Sequence, residues 1–401
     1  METSLTAPAR SILWRPTAAL ASVNAAITLG WIIYRVHLAG ILTQAGFSAS
    51  FAPGLLLIES ILAIGIEPWA GSASDRTGER LGGRFYIIGI GAGITAFLFL
   101  VLPGIVDRLP ADAAANWWLP VVLVLWAVAI SMFRSPALAF LEEYATRKDL
   151  PMAASLITLA GAIAGSATPL ASPWLLSLGV APTFVAAALI IVGTVGWFKM
   201  VQPLSRQTIV PPRSFPPGSV WLPILIAGLS VTLVFRLAIE LYPKLLKAAG
   251  LQPPLFMGSL FISLAIGAIL AGQLTIRWGR AFVIQLGYGL TAACLLLMLL
   301  PKTTVDAALI AIGFGLSFSL LFNNVLPWVF TQIGDYPTHR HSGLGVGLFF
   351  AGAAAASSLY SGILSSISWL TPSLTIGLAI VSLLVASLCM TLRWSDRQSS
   401  T

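Results

Sequence analysis

The chain has 401 residues, 57% hydrophobic and only 9% charged, with a mean hydropathy of +0.92; soluble domains carry about a quarter of their residues as charges, which excludes an array of them. The net charge of +8 comes from basic residues scattered in ones and twos beside apolar runs, never as a patch with interleaved aromatics, so nucleic acid is not an expected partner. Stretches of about twenty residues without a charge recur throughout, as bilayer-spanning helices require, and twelve of them leave no room for a soluble domain.

Met1 to Pro16 is polar, with Arg10 and Arg15. The apolar run behind it is too long, and lacks a clear small-residue cleavage site, to be a removed signal, so it reads as a first span. Spans are predicted at 17–41, 51–71, 84–103, 117–142, 152–176, 181–200, 219–244, 255–275, 281–300, 306–329, 343–366 and 371–392. If both termini are cytoplasmic, fifteen Lys and Arg residues fall inside, four outside (Arg108, Lys244, Lys247 and Lys302) and three within spans. That bias orients the chain as a multi-pass integral membrane protein, N-in and C-in, expected in a bacterial inner (plasma) membrane.

Span 1 carries Asn24, Thr28, Trp31 and Arg35, spaced 4, 3 and 4, which puts all four on one helical face expected to line a cavity. An ionisable residue inside a span costs roughly 2.5 to 3.5 kcal/mol and needs a partner or a wet cavity. Arg35 and Glu59 of span 2 lie at similar depth below the outer surface, so they are predicted to pair. After span 2 comes Gly71-Ser-Ala-Ser-Asp75-Arg76-Thr-Gly78, a short inside turn in which Asp75 can cap the N-terminus of a neighbouring helix. Arg134 lies in the inner half of span 4, with Glu142 and Glu143 at its inner end. Glu143 is about 180° round the helix from Arg134 and Glu142 about 80°, so Glu142 is the expected local partner. In span 5, Gly161, Gly165 and Pro169 allow close helix contact.

Residues 201–218, with five prolines, read as a cytoplasmic linker between an N-terminal six-helix bundle (1–200) and a C-terminal one (219–401). Span 7 carries Thr232, Arg236, Glu240 and Lys244 at i+4 steps, so Arg236 can meet Glu240 on one helix. Span 10 carries Asn323, Asn324 and Trp328 around Pro327; they suit a polar solute or an interhelical hydrogen bond. Tyr360 of span 11 is a further cavity candidate. Cys294 and Cys389 sit in apolar segments and read as small buried hydrophobes.

A repeat joins the halves. Gly71, Arg76 and Gly78 recur as Gly272, Arg277 and Gly279 at an offset of 201, and Tyr34-Arg35 recurs as Phe235-Arg236 at the same offset. Twelve spans, the duplication, the linker and this loop resemble the major facilitator superfamily, whose loop signature is G-x-x-x-D-R-x-G-R-R. More narrowly, Glu67-Pro68 through Asp75-Arg76, with Arg80 and Gly83-Arg84 behind them, and Arg134-Ser-Pro136 through Glu143 resemble its sucrose-type and glycoside–cation symporter branch. There Gln stands in place of Glu67 and Asp in place of Glu143, and sugar-binding members of the plant sucrose group have an arginine in span 5 that this chain lacks.

The resemblance implies an all-α protein of two six-helix bundles that moves a small polar organic solute, a sugar or glycoside among them, by alternating access with a proton or other cation. Spans 1, 4, 7 and 10 would surround the cavity. It makes Glu143 a candidate proton site, beside Glu59 and Glu240; the other reading of Glu142 and Glu143 is an interfacial latch to Arg76, Arg80 or Arg84. Gly71, Asp75, Arg76, Gly78, Arg84, Arg134, Glu142, Gly272, Arg277 and Gly279 form the expected conformational latch. The arginine–acid pairs read either as cavity groups or as neutralised structural pairs. The rivals are an efflux carrier for amphipathic compounds and a non-transporting pigment-delivery or assembly factor of the same fold. No cofactor is expected, no Walker loop occurs, and His37, His339 and His341 are too scattered for a metal site or a catalytic base. The expected partners are the solute, the coupling ion and the lipid bilayer, and the chain is expected to act as a monomer.

Overall fold

The computed structural model describes residues 12–48, 50–77, 83–202, 216–300, 303–333 and 341–398. Twelve of its helical segments are long and apolar enough to cross a membrane. In chain order the helices are α1 (Trp14–Gln44), α2 (Phe51–Arg76), α3 (Arg84–Val106), α4 (Trp118–Leu138), α5 (Leu141–Tyr144), α6 (Leu150–Leu178), α7 (Val180–Val201), α8 (Gly218–Ala248), α9 (Pro253–Trp278), α10 (Arg280–Leu297), α11 (Thr304–Ile333), α12 (Ser342–Gly362) and α13 (Pro372–Gln398). Only in a helix can a chain in hydrocarbon satisfy every backbone group locally, which is why the apolar runs all take this form.

The helix ends follow local chemistry. A single residue, Gly179, separates α6 from α7, and Gly279 alone separates α9 from α10; both have φ +84°. A side chain is strained in that region, so glycine permits these reversals. The span predicted at 117–142 is present over Trp118–Tyr144, and within it the helix tightens after Pro136: Phe140 N donates to Ala137 O at 3.1 Å, and α5 follows as a separate turn. The span predicted at 343–366 is likewise present over Ser342–Ser366, as α12 to Gly362 and a closing 3-10 turn over Leu364–Ser366. Most of the Pro-rich linker lies outside the described residues.

Apolar side chains gather in two large clusters, with a small third of Ala271, Val283 and Leu320. One draws on α1–α7, with Phe330 and Val346 from α11 and α12. The other draws on α8–α13, with Ala162 from α6. The two groups of helices meet along α2 with α12 and along α6 with α9. These pairings leave α1, α4, α8 and α11 around a central space. Below, the face on which α1 begins and α13 ends is called the terminal face.

Candidate functional site: a cavity between the helix groups

That space is a cavity of about 690 Å³, within the range that holds small organic ligands. All four residues of the span 1 stripe, Asn24, Thr28, Trp31 and Arg35, line it, and so do Glu59, Arg134, Arg236, Glu240 and Asn323. The remaining wall is strongly aromatic, with Phe235, Phe261, Phe318, Phe322, Phe349 and Phe350. Towards the opposite face the lining extends to Leu56, Pro169 and Pro243.

The expected Arg35–Glu59 pair is not formed. Glu59 Oε1 accepts a hydrogen bond from Tyr34 Oη, and the Tyr34 ring stacks on Trp126 of α4 with centroids 4.2 Å apart. The Arg35 guanidinium instead lies 5.2 Å from the Trp31 ring centre, and among the described residues no ion pair includes it. Consecutive residues differ by about 100° around a helix, so α1 aims the tyrosine at Glu59 and leaves the arginine exposed to the cavity. Arg35 and Glu59 share a depth, and azimuth alone separates them.

In the second half Arg236 Nη2 meets Glu240 Oε1 at 3.4 Å, as its i+4 spacing predicts, and its guanidinium lies 5.3 Å from the Tyr360 ring centre. Tyr360 is not itself part of the lining and stands behind Arg236 and Glu240, which are. Arg134 departs from expectation. It neither belongs to the latch nor pairs with Glu142, but lines the cavity and binds Glu67 of α2 by an Nε–Oε1 hydrogen bond of 2.9 Å and a second Nη2 contact. Ser135 Oγ donates to the other Glu67 oxygen, and Phe350 of α12 lies 4.1 Å from the Arg134 guanidinium carbon. The break after α4 invalidates the angular estimate for Glu142, whereas Glu67 comes from a packed neighbour. Glu67 and Ser135 were thus missed as partners, although both stood within motifs singled out in the sequence.

Only one of the paired amides reaches the cavity. Asn323 Nδ2 donates to Pro151 O of α6 at 2.9 Å. Asn324, turned about 100° away, donates to Thr275 Oγ1 at 2.9 Å and to Leu320 O at 2.8 Å, which ties α11 to α9. Trp328 is 1% exposed and packs inside the second cluster. Both were expected to line the cavity; instead they hold the helix that does. Three buried polar atoms of cavity residues have no hydrogen-bond partner among the described residues: Glu59 Oε2, Asn323 Oδ1 and Arg236 Nε. Buried groups normally find partners, so these atoms retain unused hydrogen-bonding capacity beside the cavity.

The terminal face is closed. Asp75, 2% exposed at the end of α2, accepts from the backbone N–H of Gly343 (2.9 Å) and Leu344 (2.8 Å) at the start of α12, and from Arg84 Nη2 (2.8 Å). It is an acid on a helix N-terminus, where a carboxylate is favoured by both the free N–H groups and the helix dipole. Arg84 also donates to Ser342 Oγ at 2.6 Å and lies 3.4 Å from Glu143. Glu143 therefore sits beside Arg84, as the interfacial reading of it expects, and outside the cavity lining, where the ion-coupling alternative would have placed it. Glu142 is in α5, on the same face.

Backbone approach completes the closure. A Cβ on Gly71 would overlap the Gly343 carbonyl. Its repeat counterpart Gly272 meets Met152 Cα and Pro151 O of α6, each at 3.1 Å from a Cβ placed there. The two arginines of the repeated loop, Arg76 and Arg277, are exposed and take no part in an ion pair among the described residues. Gly279 supplies the one-residue turn described above, and Gly78 lies outside the described residues. Position 276, which corresponds to Asp75, is Ile276, so the second half has no matching carboxylate. Arg280, which follows the turn, was also missed; its Nη1 reaches Pro327 O and Thr331 Oγ1, each at 3.2 Å.

The chain matches the Major Facilitator Superfamily over residues 18–361. No curated protein matches it. Among solved structures it is similar to a bacterial homologue of iron transporter ferroportin in outward-facing state, at 14% identity and TM-score 0.74 over 95% of this chain and 100% of that one. A structure of a bacterial ferroportin homologue with soaked iron gives 15% identity and TM-score 0.68 over 94% and 99%. The human organic anion transporter MFSD10 (TETRAN) gives 14% and 0.68 over 96% and 100%. At such identities the likeness is one of fold.

Proposed function

The chain belongs to the Major Facilitator Superfamily, and we propose on that premise that it is a secondary transporter carrying a small polar organic solute together with a proton. The observation that carries this reading is a cavity shared by both groups of helices and lined by Arg35, Glu59, Arg236, Glu240 and Asn323. Charges at that depth are costly unless they are paired or border a wet cavity, and by default they mark a solute or ion path. A non-transporting assembly factor would have no use for such a lining and would gain stability from an apolar filling.

In this reading residues 1–200 and 219–401 rock against one another, and the Asp75 latch holds the state closed at the terminal face. The positive-inside bias makes that face cytoplasmic, so the state is one that loads from outside. Glu59 takes the coupling proton: it borders the cavity, one oxygen is held by Tyr34, and the other is buried without a partner. The position of Glu143 beside Arg84 favours Glu59 over it. A sugar or glycoside is one solute of the required kind.

The test is uptake by the purified chain in proteoliposomes, with labelled glycosides, organic acids and amines, with and without an inward proton gradient. Gradient-driven accumulation of any of them is expected. If none crosses faster than in protein-free liposomes, under either condition, the carrier reading is lost.

A further inference from the structure

The charges around the cavity balance only while Glu59 is ionised. Arg134 is neutralised by Glu67, and Arg236 is faced by Glu240. Arg35 has no ion pair among the described residues, and the acid nearest in chemistry, Glu59, already accepts from Tyr34. When Glu59 carries a proton, the lining holds one cation in excess. Arg35 is exposed to the cavity while lying over the Trp31 ring, and Arg236 Nε, on the matching helix of the second half, is buried without a hydrogen-bond partner. Two guanidinium groups at repeat-related positions thus line one space walled by phenylalanine rings.

We infer that the solute is a small organic anion with an apolar or aromatic body, its carboxylate held by Arg35 and Arg236 and its body lying among Phe235, Phe261 and Phe318. The inference rests on the transporter reading and narrows it to a substrate class. Guanidinium groups match carboxylates with paired, charge-assisted hydrogen bonds, and an unbalanced arginine in a low-dielectric cavity gains most from a monoanion. A neutral polyol would leave Arg35 uncompensated, and a cation would be repelled. With Glu59 protonated the loaded cavity is neutral, so anion and proton cross together with no net charge. Tyr34 and Arg35 of α1 stand against Glu59; the other ionisable residues of the lining are Arg134 of α4, paired with Glu67, and Arg236 and Glu240 of α8. None of the residues lining the cavity from α12 is ionisable.

The experiment measures the protein's thermal unfolding in detergent and its proteoliposome uptake with benzoate, 3-phenylpropionate and octanoate. Their neutral amides and phenyl glucoside serve as size-matched probes. At least one carboxylate should stabilise and be taken up, with its amide at least tenfold weaker. Arg35→Gln should weaken that carboxylate tenfold or more, while Arg35→Lys retains part of the binding. Should Arg35→Gln not fold, the comparison of carboxylate with amide in the unmodified chain decides alone. Equal handling of acid and amide overturns the inference, as does uptake of phenyl glucoside without any carboxylate; the latter leaves the carrier reading standing. Absence of every solute, charged or neutral, sinks both.

Discussion

Glu59 and Glu67 sit on the same helix, both buried, yet their partners give them different work. Glu67 is saturated: Arg134 and Ser135 occupy both of its oxygens. Removing one member of such a pair leaves the other charge buried without compensation, which costs about 3–5 kcal/mol. Glu67→Gln should therefore lower the unfolding temperature of the purified protein markedly, and the double variant Glu67→Gln, Arg134→Gln should recover part of it. No recovery in the double variant would show that the pair acts through something other than its charge. Glu59 keeps one oxygen unpartnered, so Glu59→Gln should fold, with the amide oxygen still accepting from Tyr34. It should abolish proton-driven accumulation while leaving solute exchange across equal pH; retained accumulation in a proton gradient would remove Glu59 from coupling. The polar stripe of span 1 was legible because a 3.6 period in an oily helix has few explanations. Partners were not: sequence gives the depth of Arg35 but not which of two consecutive side chains faces Glu59, and nothing local ties Glu67 to a residue on α4.

Helix contacts across the two groups are set by glycines, and here the repeat was informative. The offset of 201 aligns Gly71 with Gly272, and both prove to be points where α2 and α9 touch the backbone of a helix from the other group. What the repeat could not supply is the identity of the opposing helix, since Gly343 and Met152 carry no matching signature. The loop arginines illustrate the opposite error. Arg76 and Arg277 recur faithfully yet are exposed, while the buried cation of the latch is Arg84, at the start of α3. Gly71→Leu should hold α2 and α12 apart at the terminal face. In a background with Cys294 and Cys389 replaced by serine, a cysteine at Asn323 should then react faster with a membrane-impermeant maleimide applied from that face. Gly272→Leu should do the same through α9 and α6. Unchanged labelling in both would mean that these contacts do not gate access.

Across the whole molecule, the two halves share a plan but not an electrostatic design. Sequence showed the twelve spans and the duplication, because both rest on hydropathy and short-range spacing. It could not show which end of the cavity is shut, since closure depends on contacts more than 250 residues apart, such as Asp75 with Gly343. The carboxylate latch is built on one side only: Asp75 has Ile276 for its counterpart, and there α9 meets α6 through the backbone contact at Gly272 instead. Hydrogen bonds to a charged group are worth about 1.5–3 kcal/mol each, and about 1.4 kcal/mol shifts a two-state balance tenfold. Asp75→Asn keeps the shape but offers one oxygen where two accepted, and it leaves Arg84 with only Glu143 and Ser342. The state closed at the terminal face should lose population, so turnover should fall about tenfold or more. Half-saturation should change little, because Asp75 lies outside the cavity lining. Ser342→Ala, which removes one neutral acceptor from Arg84, should slow turnover less. Initial rates across a range of solute concentrations separate the two parameters. A variant of Asp75 with unaltered turnover, or one whose defect lies wholly in half-saturation, would mean that the carboxylate fastens helices together without governing the cycle.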